Sequence, residues 1–310
     1  MKNSYYLRPG IPLFLAITFS LILLPLSGQR TYPPDISCDK VVSYKSASGV
    51  DLQLWIFNPP NHSIENEVPA IVFFFGGGWN GGSPEQFVKQ CEYLAGRGMV
   101  SMVADYRVAS RNDVRVDACV ADAKSAVRWI RENADILGVD PVRIAAGGGS
   151  AGGHLAAATA LLPEFDEPSE NLEISSRPNA LALFNPALVL APLGEENPQQ
   201  EERLKNLLKR LGAEPEKLSP YHHVSKGSAP CIIFHGTADK TVPFESVELF
   251  RDKMKESGNT CILAAYENEG HGFFNYGRKD NEAYYSTVSV MDDFFVDLGW
   301  LSALPDPILE

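Results

Sequence analysis

Apolar residues along this chain recur with two different periods, separated by clusters of glycine and proline. From Val50 to Trp55 apolar and polar side chains alternate, the period-two mark of a half-buried strand, which runs on through Ile56 and Phe57 until Pro59-Pro60 stops it. Ala70 to Phe75 is instead a continuous apolar run closed by Gly76-Gly77-Gly78, as in a strand buried on both faces. Ser83, Pro84 and Gln86 carry the cap, first-turn proline and capping-box signals of a helix start, and Gly96 and Gly98 close that helix. Val100 to Asp105 is the next buried strand. Val116, Val120, Ala123, Val127, Ile130, Ala134 and Leu137 then recur at steps of four and three, which predicts one amphipathic helix ended by Gly138.

Asp140-Pro141 turns the chain into a short strand, Val142 to Ala146, and the glycine run from Gly147 leads directly into an Ala- and Leu-rich helix ending near Leu162. Ala180 to Phe184, Pro230 to His235 and Cys261 to Tyr266 read as further strands, and Asn281 to Leu298 as a terminal helix. Strands and helices alternating at this spacing predict an α/β fold: a doubly wound, mainly parallel sheet with helices on both faces, and ligands at the carboxyl ends of the strands. Residues 188–221 are polar and Glu-rich, with a predicted short helix at Gln199 to Leu211, and read as a small cap-like insertion within one domain spanning residues 29–310.

The leader stands apart from this pattern. In residues 1–28 the only charges are Lys2 and Arg8, followed by an apolar run from Ile11 to Leu26 broken by Pro12 and Pro25, the layout of a secretory signal peptide. The run is shorter than the ~20 residues a bilayer span needs, so export is expected, with no stable membrane span after cleavage. Over 310 residues there are 27 Lys and Arg against 39 Asp and Glu, a formal charge of -12, which disfavours a nucleic-acid partner. Five scattered cysteines form no CxxC pair, so neither a zinc ribbon nor a disulfide scaffold is expected; packing accounts for them.

Gly148-Gly149-Ser150-Ala151-Gly152 matches G-x-S-x-G between a strand and a helix, the context of a nucleophile elbow. The helix starts at the serine, so its positive end and the Ala151 N–H can stabilise an oxyanion. Gly147, Gly149 and Gly152 also satisfy G-x-G-x-x-G, but the motif sits mid-chain and no acidic residue ends a following strand about 20 positions on, so a dinucleotide site is not expected. A serine nucleophile needs a base and an acid that orients it, in this fold in the order Ser, Asp, His at the ends of later strands. Asp239 follows the strand Pro230 to His235, and His271 follows the next. An ordinary loop role is open to each alone; the three together, in order and each after a strand, point to chemistry. His154 and His235 are read as hydrogen-bonded structural residues, and His222-His223 as surface residues, since no metal-ligand spacing accompanies them. Gly76-Gly77-Gly78-Trp79, after an early strand, can supply further oxyanion donors.

Phe75-Gly76-Gly77-Gly78-Trp79, Asp105-Tyr106-Arg107, Gly148 to Leu155, His235 to Asp239 and Gly270-His271-Gly272 together resemble the α/β-hydrolase superfamily. The similarity is closer to its bacterial esterase/lipase branch with an HGGGW loop, akin to hormone-sensitive-lipase-like and feruloyl- or acetylxylan-esterase-like enzymes, and covers about Leu52 to Leu298. The resemblance implies Ser150 as nucleophile, His271 as general base and then acid, and Asp239 as its orienting partner. It further implies Gly77, Gly78 and Ala151 as oxyanion donors, no metal and no cofactor, and a small-molecule or glycan ester as substrate. One departure is Phe75, where the family carries a histidine that braces the glycine loop. The resulting expectation is an exported serine esterase acting on short acyl, acetyl-type esters; a serine peptidase and a non-catalytic binding protein on the same fold are the alternatives.

Overall fold

The computed structural model of the protein describes residues 32–193 and 207–304, so the leader predicted over residues 1–28 lies outside the described residues. Contacts divide the chain at Asp35, and the sheet and the site belong to the unit from Ile36 onward.

Eight strands form one sheet: β1 (Lys40–Ala47), β2 (Val50–Phe57), β3 (Val68–Phe74), β4 (Val100–Ala104), β5 (Val139–Gly149), β6 (Ala180–Phe184), β7 (Cys231–Gly236) and β8 (Cys261–Tyr266). Their order is β1-β2-β4-β3-β5-β6-β7-β8. β1 pairs antiparallel with β2, and β2 with β4; every later pairing is parallel. Helices α1 (Val88–Arg97) and α2 (Val116–Glu132) follow β3 and β4, α3 (Ala151–Leu161) follows β5, and α4 (Phe244–Glu256) and α5 (Glu282–Asp297) follow β7 and β8. Two buried clusters fill the two faces. Leu181 and Leu183 of β6 pack with residues of α2, α3 and α4; Ala180, Ala182 and Phe184 pack with those of α1 and α5. That alternation is the period-two geometry of a strand covered on both sides. α3 is buried along its whole length, which is why its sequence has no polar face.

Four readings of the sequence need correction. The pattern alone misses β1, which joins β2 through Ser48 and Gly49, both at positive φ (52° and 76°) as a two-residue hairpin turn requires. Its alternation is hidden because the register slips between Ser43 and Lys45, and because Lys45 points inward to an ion pair with Asp122 at 3.0 Å. The predicted helix from Val116 to Leu137 is two, broken at Asn133, whose side-chain amide bonds the Trp129 carbonyl at 2.8 Å; residues Ala134–Leu137 form a separate turn ended by Gly138 in the left-handed region. Gly147, Gly148 and Gly149 are strand, paired with Ala182, Leu183 and Phe184, so β5 runs to the elbow rather than stopping at Ala146. Gln86 does not complete a capping box. Ser83 accepts the Glu85 amide at 3.3 Å and a 3-10 turn (Pro84–Phe87) precedes α1, while Gln86 reaches elsewhere, as described below.

The predicted helix at Gln199 to Leu211 falls mostly on residues 194–206, outside the described residues; its end, 207–211, is helical. All five cysteines are unbridged and four of them are buried, so packing explains most of them.

Candidate active site

The carboxyl ends of β5, β7 and β8 carry the three candidate residues Ser150, Asp239 and His271. Ser150 sits between β5 and α3 at φ 55° and ψ -115°, a left-handed conformation that a side chain adopts only when its surroundings enforce it. Close backbone crossings do the enforcing here. A Cβ on Gly148 would lie 2.5 Å from Gly152, and one on Gly152 would lie 2.0 Å from the Phe74 carbonyl oxygen, so both positions demand glycine. The Ser150 N–H donates to the Phe184 carbonyl at 2.8 Å, which fixes the elbow against the end of β6.

The residue after Phe184 ties the rest of the site to the same point. Asn185, fully buried and at φ 44°, donates from Nδ2 to Asp239 Oδ2 at 2.9 Å and accepts the Gly272 N–H on Oδ1 at 3.2 Å. Asp239 Oδ2 also lies 2.7 Å from His271 Nδ1, while its Oδ1 accepts the amides of Thr241 and Val242 at 2.8 and 3.0 Å. Burial pushes the Asp239 carboxyl up, but the hydrogen bond from His271 and the two amides outweigh it and hold the group below the usual carboxylate range. A carboxylate at this point fixes the proton of His271 on Nδ1 and leaves Nε2 free to accept one. Sequence reasoning missed Asn185: an asparagine just past a strand is an ordinary turn signal, and only the fold puts it against residues 54 and 87 positions away.

The glycine loop after β3 is held by three contacts that replace the absent histidine. The Phe75 ring stacks on Tyr106 with centroids 4.1 Å apart, the Tyr106 hydroxyl donates to the Phe75 carbonyl at 2.7 Å, and Gln86 Oε1 accepts the Gly76 N–H at 2.6 Å. From its other end Gln86 donates to Asn275 at 2.9 Å, and Asn275 in turn donates to the Gly272 carbonyl at 2.8 Å. One glutamine therefore links the glycine loop to the loop that carries His271. Gly78 and Ala151 line a cavity of about 340 Å³ with Ser150, together with Leu188, Leu190 and Val242; Gly77 is exposed and outside that lining.

Each of the other histidines is paired through at least one ring nitrogen. His154 accepts from Trp79 Nε1 on Nδ1 at 3.3 Å and faces the Leu218 carbonyl with Nε2 at 2.8 Å, so it is neutral with the proton on Nε2. His235 faces the Val242 carbonyl at 3.0 Å, and burial lowers its pKa. His222 and His223 pair with Ser219 Oγ and the Glu216 carbonyl.

For His154, burial moves the pKa from 6.5 down to about 4, with the Leu218 carbonyl opposing only in part. The unfolded chain therefore binds the proton first. Stability is complete above pH 6.5 and falls as the pH drops toward 4, by about 3 kcal/mol from this group alone. Urea midpoints measured at pH 7 and pH 4.5 should drop less steeply in His154→Gln than in the wild type; equal slopes would remove His154 as the acid-sensitive group.

A strained serine at a strand-to-helix turn, with a carboxylate-paired histidine on a loop past the end of a later strand of the same sheet, is the arrangement of α/β-hydrolases, and residues 54–254 match the BD-FAE family model. The chain belongs to the BD-FAE family. It is an α/β-hydrolase of the esterase branch. Among solved structures, esterase 2 of the planctomycete Thermogutta terrifontis with butyrate bound is 52% identical over 89% of this chain and 100% of that one, with a TM-score of 0.85. The same esterase is also known phosphorylated by paraoxon. The probable carboxylic ester hydrolase LipM of Mycobacterium tuberculosis is 27% identical, aligning with 78% of this BD-FAE chain and 57% of its own length. An acetylxylan esterase of Xylanibacter ruminicola is 25% identical over 82% of this chain and 49% of that protein. The chain spans about half the length of these two curated relatives.

Proposed function

We propose that this chain is an exported serine carboxylester hydrolase that cleaves short acyl, acetyl-type esters, those of carbohydrates among them, through Ser150, His271 and Asp239. The observation that carries the reading is the 2.7 Å contact between His271 Nδ1 and the buried Asp239 carboxylate, in the same sheet as a strained elbow at which Ser150 lines the cavity. Ser150 Oγ attacks the acyl carbonyl as His271 Nε2 takes its proton. The developing oxyanion is met by the N–H groups of Ala151 at the α3 N-terminus and of Gly77 and Gly78. His271 then protonates the leaving alcohol, and water activated by the same ring releases the acid from the acyl-enzyme.

Short acyl groups are favoured by a cavity of about 340 Å³ walled by Leu188, Leu190 and Val242, and by the propionate and butyrate complexes of the Thermogutta terrifontis esterase. The acetylxylan esterase relative supports acetylated glycans, and the leader supports export. Hydrolysis of p-nitrophenyl acetate, butyrate and octanoate by the chain from Gln29 tests the reading. kcat/KM should fall at least about tenfold from butyrate to octanoate, since each methylene that finds no room forfeits its burial. A rate that rises with chain length would overturn the short-acyl assignment.

A further inference from the structure

Among the described residues, the cavity that Ser150 lines is neutral except at one point: of the described side chains that wall it, Arg210 alone carries a charge, and its guanidinium makes no hydrogen bond or ion pair with any of them. The group is nonetheless held in place. Its Cζ lies 5.6 Å from the centroid of the Trp79 ring, and a methyl on Gly78 would stand 3.1 Å from its Nη2, so it sits against the glycine loop next to the oxyanion donors. Trp79 itself is fixed by the hydrogen bond to His154, and His154 by Leu218, so the ring that carries the guanidinium is anchored in the core. A cation–π contact consumes none of the guanidinium's N–H donors, so its fork is left unspent among the described residues.

Charge strengthens the contrast. The chain as a whole is acidic, at -12, and repels anions at long range. Trp79 and Arg210 also wall a second, adjoining hollow of about 380 Å³, whose described lining includes Arg115, Lys209 and Asp113. A guanidinium held over an aromatic ring, with its N–H fork unspent at the wall of the cavity that Ser150 lines, matches a planar bidentate anion.

We propose that Arg210 is a specificity-determining residue that binds a carboxylate carried by the ester, so that the preferred substrates are anionic short-chain esters. This rests on the ester-hydrolase reading above. The carboxylate can belong to the acyl part or to the alcohol part, and both supply the same fork-shaped partner.

Two matched pairs of substrates followed by pH-stat separate these sources: monoethyl glutarate against ethyl valerate for the acyl side, and 4-acetoxybutanoate against butyl acetate for the alcohol side. The ratio of kcat/KM, anionic over neutral, should fall about tenfold or more in Arg210→Gln for at least one pair, with Arg210→Lys in between, because lysine keeps the charge but loses the fork. In the wild type that ratio should also shrink as salt is raised from 20 to 500 mM, on the order of the screening expected for a partly exposed pair. A ratio unchanged by Arg210→Gln in both pairs overturns the proposal. Turnover of the neutral esters that falls less than about tenfold in Ser150→Ala would instead overturn the serine-esterase reading on which it rests, so the two failures are distinct.

Discussion

Replacing Ser150 by alanine should lower kcat for p-nitrophenyl butyrate by about 10⁵-fold, equivalent to about 7 kcal/mol of transition-state stabilisation, while leaving the far-UV circular dichroism spectrum unchanged. The effect is large because nucleophile, base and orienting acid act as a unit: without Oγ, the His271–Asp239 pair has no proton to take and no acyl-enzyme can form. Folding should survive, since the elbow is held by main-chain contacts. The Ser150 N–H bonds to Phe184 and its carbonyl accepts the His154 N–H at 3.0 Å, and neither uses the hydroxyl. Residual activity of about a thousandfold over the uncatalysed rate is expected from the oxyanion donors and binding. A loss of less than tenfold would exclude Ser150 as the nucleophile.

Asp239→Asn should cost about 10⁴-fold in kcat, through the tautomer of His271 rather than through lost charge alone. The four groups hydrogen-bonded to this carboxylate are all donors, the Thr241 and Val242 amides on Oδ1 and Asn185 Nδ2 and His271 Nδ1 on Oδ2, and His235 Nε2 lies 3.5 Å from Oδ2. An amide has one oxygen to offer. If it faces the two backbone amides, its NH₂ is turned to Asn185 and His271, and the imidazole satisfies it by carrying its proton on Nε2, the atom that must accept from Ser150. If it faces His271, the loop from Thr241 to Val242 loses its acceptor, and a buried donor left unpaired costs ~1–3 kcal/mol. Kinetics with p-nitrophenyl butyrate, together with a thermal melt, distinguish these two outcomes. A variant with near wild-type kcat would dismiss Asp239 as the partner of the base.

Much of the fold is legible in the residue pattern because a sheet buried on both faces leaves a blunt mark. Ala180–Phe184 is a continuous apolar run, buried at every position, whose bounds coincide with β6; the apolar run Cys261–Tyr266 coincides with β8, although that edge strand is largely half-buried or exposed. Where a charged residue turns inward, the pattern fails: Lys45 in β1 lies at the ion pair with Asp122, and periodicity cannot see a partner 77 residues away. Glycine hides structure for the opposite reason. Gly147 to Gly149 read as loop because they lack side chains, although they are paired strand residues whose small size lets neighbouring chains approach.

The candidate site divides along the same line. The order Ser150, Asp239, His271, each just past a strand, is a property of the one-dimensional chain, because a doubly wound sheet brings the carboxyl ends of its strands to one edge wherever they fall in sequence. The sequence alone therefore determined the sheet class, the elbow and the three residues to test. The tertiary structure decided what surrounds them. Asn185 spans Asp239 and Gly272, Gln86 links Gly76 to Asn275 across 189 positions, Phe75 and Tyr106 brace the glycine loop by stacking, and Arg210 reaches the cavity over Trp79. Such contacts depend on side-chain direction at the meeting of separate elements, which no local period encodes, and through them one fold accommodates different substrates.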